Sequence, residues 1–174
     1  MKTMVRSMFM NLNQISFRGS GAPLTGENLA AVEEKLHIRF PEDYADFLRK
    51  VNGGIPEQEQ LFDFYDSTRE ENNTSVIRRF FKIYTEPYSR RVYDDIVQIC
   101  QIMRREETIG TDTVAIADDP GGNVICLCVA GENCGKVYFG NHEFEDEDTG
   151  YLWMDEIAPS FRVFLEALYP NPEE

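Results

Sequence analysis

Long apolar runs are absent from this 174-residue sequence, and cysteine is scarce. No segment approaches the roughly 20 apolar residues that a membrane-spanning helix requires. The N-terminal stretch lacks an uninterrupted apolar core followed by a small-residue cleavage site, so we expect no signal peptide. Four cysteines in a chain of this length do not indicate a disulfide scaffold. These absences predict a cytoplasmic protein with reduced thiols.

Basic residues are nearly absent from the C-terminal part of the chain. Residues 1–105 contain 15 basic and 15 acidic residues, whereas residues 106–174 contain two basic and 16 acidic residues. The whole net charge of −14 therefore arises in the second segment. A surface of one sign opposes binding to nucleic acid and anionic lipid, and it attracts cationic partners. We expect neither a nucleic acid nor a membrane as partner. The alternative is that the acids only keep the protein soluble.

Motifs for catalysis and phosphate binding are missing. The sequence has no nucleophile elbow, no glycine-rich loop ending in Lys-Ser/Thr, and only two histidines. Asp118 and Asp119 could act as an acid/base pair or as cation ligands, but the Pro-Gly-Gly-Asn that follows them favours a turn. We expect no enzyme activity, no catalytic residue and no cofactor. An uncharacterised enzyme remains the weaker alternative.

Two further clusters contain residue types that bind ligands. One consists of three cysteines and a histidine, namely Cys126, Cys128, Cys134 and His142. Their spacing is not a strong zinc signature, and buried reduced cysteine is commoner in a sheet, so we expect no metal. The other mixes bases and aromatic rings over residues 78–91, a composition that can bind single-stranded nucleic acid. Strand alternation would instead bury the rings and leave the bases in solvent, which is the interpretation we favour.

Hydrophobic spacing and capping residues predict four helices. The first begins after Thr25, the second begins at Pro41, the third covers about residues 91–105, and the last begins at Asp155 or Ser160. Proline suits a first helical position because its missing N–H would be unpaired there. We expect Asn-Gly-Gly at residues 52–54 to supply a left-handed stop for the second helix.

Runs of aromatic and β-branched residues predict the strands. These runs cover residues 61–65, 76–84, 113–117, 124–129, 136–139 and 151–154, with a short strand around 14–17. Turns are predicted at residues 70–73 and 118–123. The order of elements predicts a single α+β domain over residues 25–174, preceded by an N-terminal arm over residues 1–24. An antiparallel or mixed β-sheet is flanked by the N-terminal helix pair, a middle helix and a C-terminal helix.

The sequence contains two motifs that resemble those of the SUKH superfamily and that occur in the same order as in that superfamily. The first is a helix carrying Glu33, followed by a Phe-Pro-x-x-Tyr-x-x-Phe-Leu helix ending in Asn-Gly-Gly. Its residues are Phe40, Pro41, Tyr44, Phe47, Leu48, Asn52, Gly53 and Gly54. The second is a hairpin over residues 114–127 whose turn contains Gly121, Gly122 and Asn123. With Trp153 and the last helix, the resemblance covers roughly residues 25–169.

The sequence departs from the superfamily pattern at two positions. His37 stands where the superfamily usually has glycine or another residue that stops a helix. Histidine tolerates a positive φ better than most residues, so we expect the turn to survive. Cys128 stands where the hairpin often has aspartate, which weakens any transfer of a polar role to this position.

The resemblance implies an α+β fold and a protein-binding function without catalytic residues. Most bacterial members are regarded as immunity proteins that neutralise the toxin domains of polymorphic or contact-dependent toxin systems, many of them nucleases. Fungal relatives act in cell-wall assembly and its signalling. We therefore expect a monomer or weak dimer that inhibits a cognate, basic toxin domain by stoichiometric binding. A scaffold or signalling adaptor resembling the fungal cell-wall regulators is the alternative.

The acidic segment 142–149 is the predicted contact surface for this partner. Nuclease domains carry basic grooves for phosphates, and an acidic inhibitor can occupy such a groove. Aromatic anchors carry much of the affinity of an interface, so nearby aromatic residues are included. The predicted partner-binding residues are Glu143, Phe144, Glu145, Asp146, Glu147, Asp148, Tyr151 and Trp153, with Tyr138 as a further candidate anchor. The alternative is a solvated hairpin tip.

Overall fold

Helices at both ends of the chain enclose a set of antiparallel strands. A computed structural model describes residues 15–88 and 92–174. The helices in these ranges are α1 (Gly26–Leu36), α2 (Glu42–Lys50), α3 (Ile96–Arg105) and α4 (Phe161–Ala167). The strands are β1 (Phe17–Arg18), β2 (Ile55–Pro56), β3 (Gln60–Asp66), β4 (Glu71–Ile77), β5 (Arg79–Phe80), β6 (Thr113–Asp118), β7 (Val124–Cys128), β8 (Val137–Glu145), β9 (Leu152–Ala158) and β10 (Tyr169–Pro170). The predicted α+β class is confirmed.

The strands of the described residues form three antiparallel sheets. The largest has the order β5-β6-β7-β8-β9, the second has the order β10-β3-β4, and β1 pairs with β2. In the largest sheet each strand therefore lies beside its neighbour in sequence, and β9 is an edge strand. The hairpin of β3 and β4 packs against this sheet, where the rings of Phe64 and Phe139 stack with their centroids 4.3 Å apart. This ring contact joins β3 of the second sheet to β8 of the largest sheet.

Local hydrogen bonds explain both ends of α1. Thr25 Oγ1 accepts from the Asn28 N–H at 3.1 Å, and Asn28 Oδ1 accepts from the Thr25 N–H at 2.9 Å, which is a capping box. The predicted cap is confirmed. His37 ends the helix in the left-handed conformation with φ of 53°, and the Ile38 N–H donates to Glu33 O at 2.9 Å. The expected tolerance of His37 for a positive φ is also confirmed.

Helix α2 supplies the aromatic part of the core. Pro41 precedes its first residue, and Tyr44, Phe47 and Leu48 are almost fully buried. The ring of Phe161 in α4 lies 4.9 Å from that of Tyr44. Residues of the first predicted motif therefore form the contact between α2 and α4.

Helix α4 begins at one of its two predicted positions. Ser160 caps the helix through its hydroxyl, which accepts from the Val163 N–H at 3.1 Å. Asp155, the other predicted start, lies within β9. Asp43 in α2 also accepts from the Arg162 N–H at 2.9 Å, so a side chain of α2 satisfies a donor in the first turn of α4.

The Asn-Gly-Gly segment does not act as the predicted left-handed stop of α2. Val51 ends the helix with φ of −139°, and the first left-handed residue, Gly53, lies beyond it. A Cβ at Gly53 would lie 2.4 Å from the carbonyl oxygen of Phe81, so glycine permits a close approach of two backbones. Buried Asn52 accepts from the Ile83 N–H and donates to Ile83 O, both at 2.8 Å. The segment therefore joins α2 to the chain that follows β5.

The predicted strand 76–84 is two strands in two different sheets. β4 ends at Ile77, and β5 consists of Arg79 and Phe80, because the chain passes from one sheet to the other at this point. The predicted turn 70–73 is also wrong, since residues 71–73 belong to β4. The turn lies at residues 67–70, where the carboxylate of Asp66 accepts hydrogen bonds from Thr68. Asn72 and Asn73 indicated a turn by their residue type, but both residues pair with β3.

Three other predicted boundaries differ from those in the structure, because tertiary contacts determine where these elements begin or end. Helix α3 begins at Ile96, because Asp95 caps it and also forms a β-bridge with Lys82. Its predicted start, Arg91, lies outside the described residues. Strand β8 continues through Gly140, where a Cβ would lie 3.0 Å from Val124 Cγ2. Glycine here allows close packing within a strand and does not end it. Strand β9 extends to Ala158, well beyond its predicted end at residue 154.

Part of the predicted N-terminal arm packs against the rest of the chain. The described portion begins at residue 15, and the ring of Phe17 lies 6.0 Å from that of Phe47 and 5.9 Å from that of Phe80. Strand β1 is located at residues 17–18 and pairs with β2. Leu24 is also buried. Residues 1–14, which include the start of the predicted short strand, lie outside the described residues.

Candidate functional site

The predicted partner-binding residues lie on the hairpin of β8 and β9. Asn141 pairs with Trp153 and Glu145 pairs with Leu152, so residues 142–144 form a bulge on β8. A bulge bends its strand and redirects side chains. The side chain of Phe144 is consequently 41% exposed, which is high for a large apolar residue. The bulge therefore presents an aromatic ring to solvent beside the acidic segment.

The turn at the tip of this hairpin depends on the side chain of Asp146. Its Oδ1 accepts from the N–H groups of Asp148 and Thr149, both at 3.0 Å, and from the Thr149 hydroxyl at 3.1 Å. Gly150 completes the turn with φ of 74°. Asp146 is thus a structural residue as well as a charge, because it satisfies three donors that would otherwise need water.

The other acids of segment 142–149 differ in whether a basic side chain lies near them. Glu143 faces Arg69, whose Nη2 lies 3.7 Å from Glu143 Oε2. Among the described residues, the carboxylates of Glu145, Glu147 and Asp148 have no basic side chain within 4 Å. The tip therefore concentrates negative charge that nothing in the described chain neutralises.

Trp153 connects the hairpin to the turn between β3 and β4. Its indole Nε1 donates to Ser67 Oγ at 2.8 Å, and the Ser67 hydroxyl in turn donates to Asp155 Oδ1. The polar edge of the indole ring is therefore occupied within the chain, and the residue is half-buried. Trp153 positions the hairpin, whereas Phe144 and Tyr151 are the more exposed rings of the predicted set.

Tyr151 contacts a loop that the sequence did not implicate. A Cβ at Gly110 would lie 3.2 Å from Tyr151 Cε2, so the ring rests closely on the backbone of the loop after α3. Together with Asp112 on that loop and Met154 on β9, these residues line a groove. Gly110, Asp112 and Met154 were missed because no sequence signal links a loop after a helix to a strand 40 residues later.

The adjacent acids Asp118 and Asp119 are structural. Asp119 accepts from the Asn123 N–H at 2.8 Å, the Asn123 Nδ2 at 3.0 Å and the Ser75 hydroxyl at 2.9 Å. Asp118 pairs with Arg79, whose Nη2 lies 2.9 Å from Asp118 Oδ2. Burial raises the pKa of Asp118 and outweighs the opposite effect of Arg79. The predicted turn is confirmed at residues 119–123, with φ of 88° at Gly122, whereas Asp118 is the last residue of β6.

The residues of the second predicted motif join this turn to β8. Asn123 Oδ1 accepts from the His142 N–H at 3.2 Å and lies 2.7 Å from His142 Nδ1. The His142 ring also lies over Gly122, where a Cβ would be 3.7 Å from the ring. The motif therefore fixes the bulge that carries Phe144. A Cβ at Gly121 would lie 3.3 Å from Asn123 Nδ2, so glycine leaves room for this side chain in the turn.

The cysteines differ in their exposure to solvent. Burial raises the pKa of Cys100 to about 11 and also raises that of Cys126, whereas Cys134 is exposed. No group of three or more histidine, cysteine, aspartate or glutamate side chains suited to a metal ion occurs in the described parts of the chain. The nitrogen of His142 next to Asn123 is engaged in a hydrogen bond. These residues therefore do not come together as ligands.

The basic cluster of residues 78–91 is largely neutralised where the structure describes it. Arg78 and Arg79 both face Asp118. Lys82 lies 3.4 Å from Asp94 and donates to the carbonyl oxygen of Gly19 at 2.8 Å. Phe80 and Phe81 are buried. The described side chains therefore do not present a combination of free bases and stacking rings, and Arg90 and Arg91 lie outside the described residues.

Comparison with known proteins agrees with this fold. Residues 23–167 match the model of the SMI1 / KNR4 family (SUKH-1), and the chain therefore belongs to that family, which includes toxin-immunity proteins. It is also similar to the SPbeta prophage-derived uncharacterized protein YokK of Bacillus subtilis (strain 168), with 25% identity over 162 residues. That similarity covers 86% of this chain and 77% of the Bacillus protein.

The described helices are too short or too polar to cross a membrane.

Proposed function

We propose that this protein is a cytoplasmic immunity protein that neutralises a cognate toxin domain by stoichiometric binding, with no catalytic chemistry of its own. The toxin belongs to a polymorphic or contact-dependent system and is basic, as a nuclease domain is. Membership of a family that includes immunity proteins supports the proposal. The similarity to a prophage-derived protein of Bacillus subtilis supports the family assignment on which the proposal rests.

The observation that carries the proposal is the charge at the tip of the β8–β9 hairpin. Glu145 at the end of β8 and Glu147 and Asp148 in the turn are exposed, and the hydrogen bonds of Asp146 stabilise that turn. Concentrated charge of one sign speeds the encounter with an oppositely charged partner, and exposed rings beside it supply apolar contact. Phe144 is the nearest such ring. This combination suits the basic groove with which a nuclease holds phosphates.

Co-purification and growth protection test the proposal together. We would tag the chain, express it in its source organism, wash the complex at low and then high salt, and identify the partner. We expect one stoichiometric partner with a basic toxin domain, which halts growth when expressed alone and is harmless when expressed with this chain. A set of kinases or cell-wall enzymes would instead favour the adaptor alternative. A purified toxin domain that kills equally well in the presence of this chain would refute the proposal.

Charge reversal at the tip tests the contact surface. We expect Glu145→Lys, Glu147→Lys and Asp148→Lys together to slow association with the toxin domain by about tenfold or more at low salt. Asp146 is left unchanged because its hydrogen bonds maintain the turn. The matched control reverses three exposed acids elsewhere, Glu34, Glu57 and Glu71, and so changes net charge equally. Equal association rates for the two variants would show that the tip is not the contact.

A further inference from the structure

A groove of about 350 Å³ lies between the loop after α3 and the start of β9. Ile109 and Asp112 line it on the side of the loop, and Tyr151 and Met154 line it on the side of β9. Asp146 and Thr149, which belong to the hairpin turn, complete the lining on the side of the tip. The lining therefore combines apolar and aromatic side chains with two carboxylates.

Backbone hydrogen bonds hold the two walls of the groove together. The Leu152 N–H donates to Thr108 O at 2.9 Å, which attaches β9 to the loop. The Val129 N–H donates to Asp112 O at 2.7 Å, which attaches the same loop to the chain that follows β7. A site whose walls are fixed before binding loses little conformational entropy when a ligand enters. The groove is therefore preorganised.

The electrostatic environment of the groove is negative. Asp112 Oδ1 accepts from the Thr113 hydroxyl at 3.1 Å, and Asp146 Oδ1 is used by the turn. In residues 15–88 and 92–174, no basic side chain lies within 4 Å of either carboxylate. Burial raises the pKa of nearby Tyr138, and the charges of Glu156 and Asp112 raise it further. The groove therefore contains two carboxylates whose charge no basic side chain of the described residues offsets.

We propose that this groove binds an arginine side chain of the partner protein. The inference rests on the proposed function and names the partner group that the site recognises. A guanidinium is planar and presents several N–H donors, so it can bond to carboxylates while its face packs on an aromatic ring. Tyr151 supplies that ring, and Asp112 and Asp146 supply the acceptors. A lysine ammonium has no flat face and is more strongly hydrated, so it fits this lining less well.

Amide chemical-shift titration with small probes tests the groove without the toxin. The probes are N-acetyl-arginine amide, N-acetyl-lysine amide and N-acetyl-glutamine amide. We expect the arginine probe to shift the amides of Gly110, Asp112, Thr149 and Leu152 selectively, with the lysine probe weaker and the glutamine probe inactive. Asp112→Asn keeps the acceptor for Thr113 and should weaken arginine binding by about tenfold, the scale of a charged contact of about 1.4 kcal/mol. Asp148→Asn, a tip acid outside the groove lining, is the matched control and should change binding less than twofold.

The outcomes separate this inference from the proposed function. If arginine and lysine probes shift all acidic regions alike, or if Asp112→Asn and Asp148→Asn weaken binding equally, the groove is not an arginine site. If the toxin is neutralised as well by Asp112→Asn as by the natural chain, the groove inference fails while the immunity function stands. Selective arginine binding in the groove, together with no protection against any co-purified toxin, would refute the immunity function and retain the site.

Discussion

Tyr44 belongs to the family motif, but it contributes to the fold as a buried apolar ring. Its side chain is fully buried between Phe40, Phe47 and Phe161, and no hydrogen-bond partner lies near its hydroxyl in the described part of the chain. Burial, with a smaller contribution from Cys100, raises its pKa well above the usual value for tyrosine. A buried hydroxyl without a partner costs free energy, so the ring provides the stability at this position.

Tyr44→Phe should therefore stabilise the protein. The substitution removes the unpaired hydroxyl and keeps the ring, so we expect the free energy of unfolding to rise by about 1 kcal/mol. Urea unfolding followed by circular dichroism measures the change. Tyr138→Phe serves as the comparison, because Tyr138 is only half-buried and should respond less. A loss of stability in Tyr44→Phe would mean that the hydroxyl has a partner, such as a buried water.

At the scale of elements, the turn between β3 and β4 contacts and orients the β8–β9 hairpin. Ser67 contacts both Trp153 and Asp155, so the turn positions β9. Asp66 maintains this turn by accepting from the Thr68 N–H at 3.0 Å and from the Thr68 hydroxyl. Burial acts to raise the pKa of Asp66, but the hydrogen bonds from Thr68, the Arg69 N–H and the charge of Arg69 together outweigh it, and the net pKa is lowered. The charged form is therefore favoured by the folded state.

The contribution of Asp66 to stability should depend on pH. A carboxylate whose pKa is lowered on folding stabilises the fold above its unfolded pKa of roughly 3.9 and loses this effect as the pH falls through the lowered value. We expect Asp66→Asn to cost about 1 kcal/mol at pH 7, and this difference should shrink below about pH 4. Urea unfolding of both proteins across this range measures it. Thr68→Ala, which removes one donor, should reproduce part of the loss at pH 7. A difference that stays constant with pH would contradict the assignment.

At the scale of the whole molecule, the two charge segments of the sequence are not separate structural units. Strand β5 of the neutral segment pairs with β6 of the acidic segment, and Arg79 and Arg69 reach across to Asp118 and Glu143. Bases of the first segment therefore neutralise part of the second. Among the described residues, the acids Glu145, Glu147 and Asp148 at the hairpin tip keep their charge without a basic neighbour within 4 Å.

Thiol reactivity should report the integrity of the whole fold. Cys100 and Cys126 are fully buried in the core shared by α3 and the large sheet, whereas Cys134 is exposed. We expect one thiol per chain to react rapidly with a disulfide reagent, and Cys100 and Cys126 to react only on unfolding. Cys128 is nearly buried and should react slowly. Cys134→Ser should abolish the rapid phase; a rapid phase that persists in this variant would mean that the core opens locally.

The amino-acid sequence alone was sufficient to predict the fold class, the positions of the first two helices and the turn over residues 119–123. These features follow from local rules: a capping residue, the periodicity of apolar residues, or side chains that bond to their own backbone. The resemblance of two motifs identified the family before the structure, and the family match confirms it. The family resemblance did not reveal that Asn52 connects α2 to the chain after β5, because the two residues in contact are about 30 positions apart in the sequence.

The break between β4 and β5, the extension of β8 through Gly140 and the groove beside Tyr151 become visible only in the folded chain. Each depends on what lies across a sheet or behind a loop: the change of sheet after Ile77, the side chain of Val124, and the backbone of Gly110. The acidic segment was visible in the sequence, but its division into a turn-forming Asp146, a paired Glu143 and an unpaired tip was not. Charge is a property of residue type, whereas its availability to a partner depends on neighbours that folding brings together.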